Sequence, residues 1–419
     1  MEDQMILFQK DFVEQGAIVD YNTTNTSFIK MAMLLKEMGI KNNKFMLALY
    51  NTRLQGVNPY DPNLSEEMKV MITCEIKLNP WYYIREVVRI TSQGTEGGVP
   101  FCLDRANLSF FWLYMNSINI FETIPRQIGK SIAAITLTSW ILYFAGINVT
   151  VGMFARGSSL QVENVKRLKD IRDSLPSYLI RKNKNGIDSD NKEGVTYTAL
   201  NTRYKTYTAQ SEIQSAIDQG RGETFAITHW DEFAFYKLNW LSYPAAISTT
   251  DRASEQLQAT GVPTCNIITT TAGRLDEKRG KYAFKVKSDC IQFTEHFYDC
   301  KDHAELGKLV EDNSDNGMAY IEYSYKQLGK DDAWLKKKIA NKDPDVIQMD
   351  YFNRWISGST EGVVPSHLLE KINNSLMEPK HVTMVDQVRV LWYVDKDTYS
   401  LSEFKNRPFV IACDTSDNM

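Results

Sequence analysis

The tightest constraint in this chain of 419 residues is local. Ile124-Pro125-Arg126-Gln127-Ile128-Gly129-Lys130-Ser131 joins an apolar run, Ile118 to Ile124, to a helix-like run, Ile132 to Tyr143. A glycine, a lysine and a hydroxyl at a strand-to-helix turn are what a chain of phosphates requires. Gly129 lets backbone N–H groups approach a β-phosphate, Lys130 brings a point charge toward the β- and γ-phosphates, and Ser131 can ligate Mg²⁺. The helix N-terminus adds a favourable dipole. The usual pattern opens with a glycine six residues before the lysine. Ile124 stands there, so the loop has to turn without that freedom. Gln127 belongs to the same nucleotide-binding loop, and Arg126 has the reach to meet a γ-phosphate, where arginine fingers are worth ~10³-fold or more in rate.

Such a turn belongs to a parallel α/β sheet, and from Phe101 onward apolar strand-like runs alternate with helix-like ones. Ile118 to Ile124, Asn148 to Phe154, Thr224 to Trp230 and Thr264 to Thr270 read as strands, each followed by a polar loop where such sheets bind ligands. The third ends in Asp231-Glu232, about a hundred residues after the loop. That spacing fits an acidic pair in which Asp231 faces Mg²⁺ and its water while Glu232 polarises an attacking water as general base. Arg221, between Gly220 and Gly222, reads as an exposed turn cation able to serve a neighbouring subunit's ATP. Arg156-Gly157-Ser158-Ser159 opens a helix from Leu160 to Leu175 and reads as a nucleotide-sensing or DNA-contact segment, or as a simple helix cap. Thr269, Thr270 and Thr271 place three hydroxyls at the end of the fourth strand.

The remainder sets the organisation. Residues 1–100 read as an N-terminal accessory region, 101–280 as the ATPase core, 281–375 as a lid or linking subdomain, and 376–419 as a linker with one strand of a further domain. Ser27 to Met38 reads as a helix. Lys301 to Lys342 reads as helical and charged until Asp343-Pro344 breaks it, and Val388 to Val394 and Pro408 to Cys413 read as further strands. Hydrophobic residues at 43% and charged ones at 24% are the mix of a globular protein, and no apolar stretch is long enough to span a membrane. Six scattered cysteines suggest neither a zinc knuckle nor a disulfide framework, and point to a reducing cytoplasm. A net charge of −4 argues against a strongly basic nucleic-acid coat and permits only a local basic surface or transient DNA contact.

The ordered set R-Q-x-G-K-S, R-G with an apolar strand, D-E-x-A-F, then I-I-T-T-T resembles the large terminase subunit of tailed bacteriophages from Leu103 to about Pro365. Asn79 to Ile84 resembles a segment of that family's N-terminal region, and Gly358 to Gly362 the stretch that closes its motor region. The resemblance implies a P-loop NTPase core of the ASCE or RecA-like kind, with ATP and Mg²⁺ as cofactors. It assigns coupling of hydrolysis to movement to Thr269, Thr270 and Thr271. It puts an adenine-reading motif at Leu103 to Asn107, with Asn107 where the family has glutamine. Phe409 to Asp414 resembles the first strand of an RNase H-like nuclease, with Asp414 as a metal ligand. Two-metal cleavage needs further carboxylates, so this chain by itself is not expected to cut DNA.

The function implied is an ATP-driven motor that moves double-stranded DNA into a procapsid in the host cell cytoplasm. Portal protein and small terminase subunit would be partners, and the motor would form a homo-oligomeric ring without a membrane. A superfamily 2-like helicase or DNA translocase shares the first lobe. It needs a second RecA-like lobe with an arginine-rich motif, which nothing after Gly273 offers. A docking protein with a vestigial nucleotide site is opposed by retention of Lys130, Ser131, Asp231 and Glu232 together.

Overall fold

The computed structural model describes residues 5–92, 94–95, 97–180, 188–357, 375, 380–385 and 388–392. Its centre is a nine-stranded sheet. In chain order the strands are β1 (Asn119–Thr123), β2 (Thr150–Ala155), β3 (Asp190–Asn191), β4 (Gly194–Tyr197), β5 (Thr202–Thr208), β6 (Ile227–Asp231), β7 (Asn266–Thr270), β8 (Ile291–Gln292) and β9 (Met318–Glu322). They lie in the order β8-β9-β1-β7-β6-β2-β5-β4-β3. Every pairing from β8 to β5 is parallel, and β4 and β3 extend the edge antiparallel.

The four strands expected from sequence are β1, β2, β6 and β7, side by side with β9 and β5. Strands buried on both faces read as short apolar runs, which is why these were visible. Five others were not. β5, Thr-Arg-Tyr-Lys-Thr-Tyr-Thr, alternates with polar residues, and β9 lies in the stretch expected to be helical. That stretch instead holds the helix His303–Asn313, the strand β9 and the helix α5 named below. Asp343-Pro344 does more than end a helix: Pro344 takes the first position of the next one, and the Asp343 carboxylate accepts from the Asp345 N–H.

Six helices position the site: α1 (Arg105–Met115), α2 (Lys130–Trp140), α3 (Ser158–Ser174), α4 (Lys278–Ser288), α5 (Asp332–Ile339) and α6 (Pro344–Phe352). In-register neighbours on parallel strands share a face. Ala155, Asp231, Thr269, Glu122 and Ile321 therefore form one row across five strands. That row lies on the face covered by α2, with Ile120, Ile267 and Ile227 beneath it in the core. The opposite face holds Phe121, Phe154, Trp230, Ile268 and Tyr320, and packs against Ala283 and Val286 of α4. Trp230 stacks on Phe154 with ring centroids 3.9 Å apart.

The expected divisions at residues 100 and 280 do not follow the packing. Trp81 and Trp112 donate through Nε1 to the carbonyls of Ile6 and Leu7, each at 3.0 Å, and Trp140 of α2 donates to Ile76 O at 2.7 Å. The N-terminal region thus shares one core with the sheet. Strands β8 and β9 carry that sheet beyond residue 280. The chain divides instead into Met1–Gly358 and Ser359–Met419. In the second unit His381–Val385 pairs antiparallel with Val388–Trp392. Gly358 to Gly362, Pro408 to Cys413 and Asp414 lie outside the described residues. Among the described residues no helix is long and apolar enough to cross a membrane.

Candidate active site

The loop between β1 and α2 turns at two left-handed residues, Gln127 (φ 64°) and Gly129 (φ 106°). Ile124, buried just past the end of β1, takes no left-handed conformation, and the positive φ values fall at Gln127 and Gly129. Helix α2 starts at Lys130 with Gly129 in the capping position and no side-chain cap. A helix start without a side-chain acceptor leaves backbone donors for an anion. Lys130 is buried, and its Nζ donates back to the Ile124 carbonyl at 3.4 Å.

Loop and acidic strand converge on one carboxylate. Ser131 Oγ donates to Asp231 Oδ2 at 2.9 Å, Asn164 Nδ2 from α3 donates to the same oxygen at 2.8 Å, and Thr269 Oγ1 donates to Oδ1 at 2.9 Å. Burial opposes the charge on Asp231, but neighbouring His229 and these three donors hold its pKa below the ordinary carboxylate value. His229, whose Nε2 lies 2.9 Å from Thr269 Oγ1, is pushed down by burial. A hydroxyl beside an ionised carboxylate suits Mg²⁺, which takes one or two protein ligands and fills its remaining positions with phosphate oxygens and water. Ser131 and Asp231 would hold it, and bound there it would neutralise charge building on the β- and γ-phosphates.

Glu232 follows directly, in the left-handed region at φ 58°. A non-glycine residue there costs of order 1–3 kcal/mol, and the abrupt turn brings its side chain into a cavity of about 470 Å³. Burial raises the Glu232 pKa, opposed by Lys130, and Asp231 pushes it further up while Arg156 and Arg126 pull it down. A carboxylate tuned upward is a better proton acceptor near neutral pH.

The cavity is also lined by Arg126, Gln127, Gly129, Lys130 and Ser131 from the loop, and by Arg156, Ser159 and Arg167 from the β2 to α3 segment. Apolar Ile90, Ile132, Leu160 and Ile171 line it too, with Thr91 and Glu163, so it offers cations for phosphates and apolar surface for a base. Helix α3 starts without a side-chain cap, which removes the simple-cap reading of Ser158 and Ser159. Two loop side chains are held from outside the loop. Arg126 Nη1 pairs with Asp350 Oδ2 of α6 at 3.0 Å, and Lys338 Nζ of α5 donates to Gln127 Oε1 at 2.7 Å.

Other expected residues sit elsewhere. Asn107 is buried in the first turn of α1, bonded through its backbone N–H and its Nδ2 to the capping carboxylate of Asp104, and does not line the cavity. Arg221 is exposed, 3.9 Å from Asp218, and does not line it either. Thr269 is bonded to Asp231, Thr270 Oγ1 accepts from the Ala234 N–H at 3.1 Å, and Thr271 is buried. Thr269 and Thr270 therefore contact the acidic strand and its turn, and none of the three is part of the cavity lining.

Sequence reasoning missed Asn164, Asp350, Lys338 and Glu122. Asn164 is buried within α3 among charged neighbours in sequence, and nothing local marks it. Glu122 does have a signal, a carboxylate inside an apolar strand next to the phosphate loop. It is fully buried with neither oxygen hydrogen-bonded, and burial pushes its pKa up to about 8, with Lys130 opposing.

Sheet, loop and acidic pair define a P-loop nucleotide-binding α/β fold. No protein-family profile and no curated protein sequence matches the chain. Among solved structures it is similar to the large terminase ATPase domain of Thermus phage P74-26, at 13% identity and a TM-score of 0.39, covering 64% of this chain and 99% of that one. It is also similar to a large terminase from a thermophilic bacteriophage in complex with ADP, at 12% identity and a TM-score of 0.37, covering 60% of this chain and 54% of that one. The large terminase of bacteriophage HK97 matches at 16% identity and a TM-score of 0.34, over 46% of this chain and 37% of that one. This chain thus spans about half the length of the ADP-bound terminase.

Proposed function

We propose that the chain is the ATP-hydrolysing motor of a viral terminase, driving double-stranded DNA into a procapsid. One observation carries the hydrolytic part: the 2.9 Å bond from Ser131 to Asp231 brings loop and acidic strand together beside Lys130 and Glu232. In this reading backbone donors at α2, Lys130 and Arg126 hold the phosphates, Ser131 and Asp231 hold Mg²⁺, and Glu232 takes a proton from the attacking water. The ordered motifs that resemble large terminases support the packaging part.

The motor would act as a homo-oligomeric ring in the host cytoplasm, with portal protein and small terminase subunit as partners. Arg221, exposed and away from its own chain's cavity, would reach a neighbour's nucleotide. Phosphate release by the purified chain, with and without duplex DNA and procapsids, tests the proposal. Release that requires Lys130 and rises with DNA and procapsid is expected, and its absence under every condition would leave only the docking reading. Mixing Arg221→Ala with wild type tests the ring, because an arginine acting across subunits poisons turnover more steeply than simple dilution.

A further inference from the structure

We propose that Lys278, Lys281 and Lys285, one exposed stripe of α4, form the surface on which this chain grips the backbone of duplex DNA. The inference rests on the translocase reading and names the contact surface that reading leaves open. The chain as a whole is acidic, at −4, yet α4 carries Lys278, Arg279, Lys281, Lys285 and Lys287 and no acidic residue. Two of these are only partly exposed: Arg279, which pairs with Glu277 at 2.6 Å, and Lys287, which lies over the Tyr320 ring at 4.6 Å. The other three have spacings of three and four, which put them on one helical face. All three are exposed, whereas Gly280, Ala283 and Val286 bury the opposite face.

The stripe fits its proposed partner by charge and length. The seven helical steps from Lys278 to Lys285 span about 10.5 Å, and each strand of duplex DNA carries one charge per about 3.4 Å of axis, so the three lysines lie opposite about three phosphates of one strand. None of the three lysines has an ion pair among the described residues. Beside the stripe, Lys278 Nζ sits 4.4 Å from the Trp240 ring centroid in an open cleft that also includes exposed Lys237. Of the acidic groups nearest in sequence, Asp276 and Glu277 precede the helix and Asp289 follows it; Glu277 lines the same cleft as Lys278 and is paired with Arg279.

The same helix is fixed to the nucleotide side of the molecule. A Cβ on Gly280 would stand 1.9 Å from the Arg274 carbonyl oxygen, so the first turn of α4 lies directly on the segment that leaves β7. That segment follows Thr269, which is bonded to Asp231. A change at the metal-facing carboxylate therefore has a short, closely packed route to the lysine stripe.

The experiment uses the 419-residue chain and random-sequence duplex DNA, with affinity measured by fluorescence anisotropy over a series of salt concentrations. Each phosphate contact contributes about 0.9 to the slope of log affinity against log salt. The triple variant Lys278→Gln, Lys281→Gln, Lys285→Gln is expected to lower that slope by about 2.7, while ATP hydrolysis without DNA and the melting temperature stay unchanged. A control removes the same charge elsewhere, through Gln at Lys30, Lys36 and Lys308, which are exposed on the helices Thr26–Glu37 and His303–Asn313. Equal slopes for wild type and stripe variant, or an equal loss in the control, would overturn the surface while leaving the motor reading standing. Absence of duplex binding by wild type at any salt would overturn both.

Discussion

Arg126 is held twice by Asp350: its Nη1 donates to Oδ2 at 3.0 Å, and its backbone N–H donates to the Asp350 carbonyl at 2.7 Å. One residue of the phosphate loop is thereby tied to one residue of α6. The guanidinium is 48% exposed and the carboxylate 7%, so the ion pair contributes at most about 1 kcal/mol to stability once solvent screening is counted.

That modest contribution leaves the guanidinium free to exchange Asp350 for a γ-phosphate. Arg126→Ala is expected to slow hydrolysis by about 10³-fold, the scale of an arginine finger, with a much smaller effect on ATP affinity. Asp350→Asn, which leaves the arginine in place, is expected to retain most of the turnover. Single-turnover rates and binding of a non-hydrolysable analogue check both variants, and a pure affinity defect in Arg126→Ala would reassign the arginine to binding.

Glu232 and Lys130 line one cavity but do different work. Glu232→Gln is expected to lower turnover by about 10²- to 10⁴-fold, the usual contribution of a positioned base, while nucleotide binding persists. Lys130→Ala is expected to lose both. The acid limb of the wild-type rate profile should lie above the ordinary glutamate range, because burial raises the pKa of the base and the base acts ionised. Equal loss of binding in the two variants would contradict the assignment.

Glu122 makes a prediction about stability and pH. Its pKa is about 8 in the fold against an ordinary 4.5, and burial is the cause. Between those values the folded chain holds a proton that the unfolded chain releases. The contribution to stability is full below about 4.5, falls as pH rises toward about 8, and falls no further above that. Glu122→Gln is expected to flatten the decline in melting temperature between about pH 5 and about pH 8. An unchanged profile would mean that the carboxyl is ionised in the fold.

What the sequence disclosed follows from what its residues signal locally. Lys130, Ser131, Asp231 and Glu232 stand at the ends of apolar runs, where period and polarity change together, and both motif and strand were legible. Strand β9 lies inside a charged stretch and pairs with β1 across nearly two hundred residues of chain, so only tertiary packing identifies it as a strand. The family offset that points to Asn107 says nothing about its bonding, and the structure ties its amide to Asp104, the cap of its own helix. The hydroxyls of Thr269 and Thr270 meet Asp231 and the Ala234 N–H, neighbours that register with β6 decides and the sequence does not disclose.

Asn164 was invisible to sequence reasoning, and it sets a sharp test of the metal position. Its Nδ2 donates to Asp231 Oδ2 at 2.8 Å while its Oδ1 accepts from Arg167 Nη1 at 3.0 Å, so the amide is oriented from both ends. Partners that orient a metal-binding group typically change metal affinity 10- to 100-fold when removed. Asn164→Leu keeps much of the volume and removes the donor, so the Mg²⁺ concentration giving half-maximal hydrolysis is expected to rise by about 10-fold or more. Nucleotide binding measured without Mg²⁺ should change little, since Asn164 does not line the cavity. A lower melting temperature with an unaltered Mg²⁺ requirement would make Asn164 a packing residue only, and would remove the reason for placing the metal against that oxygen of Asp231.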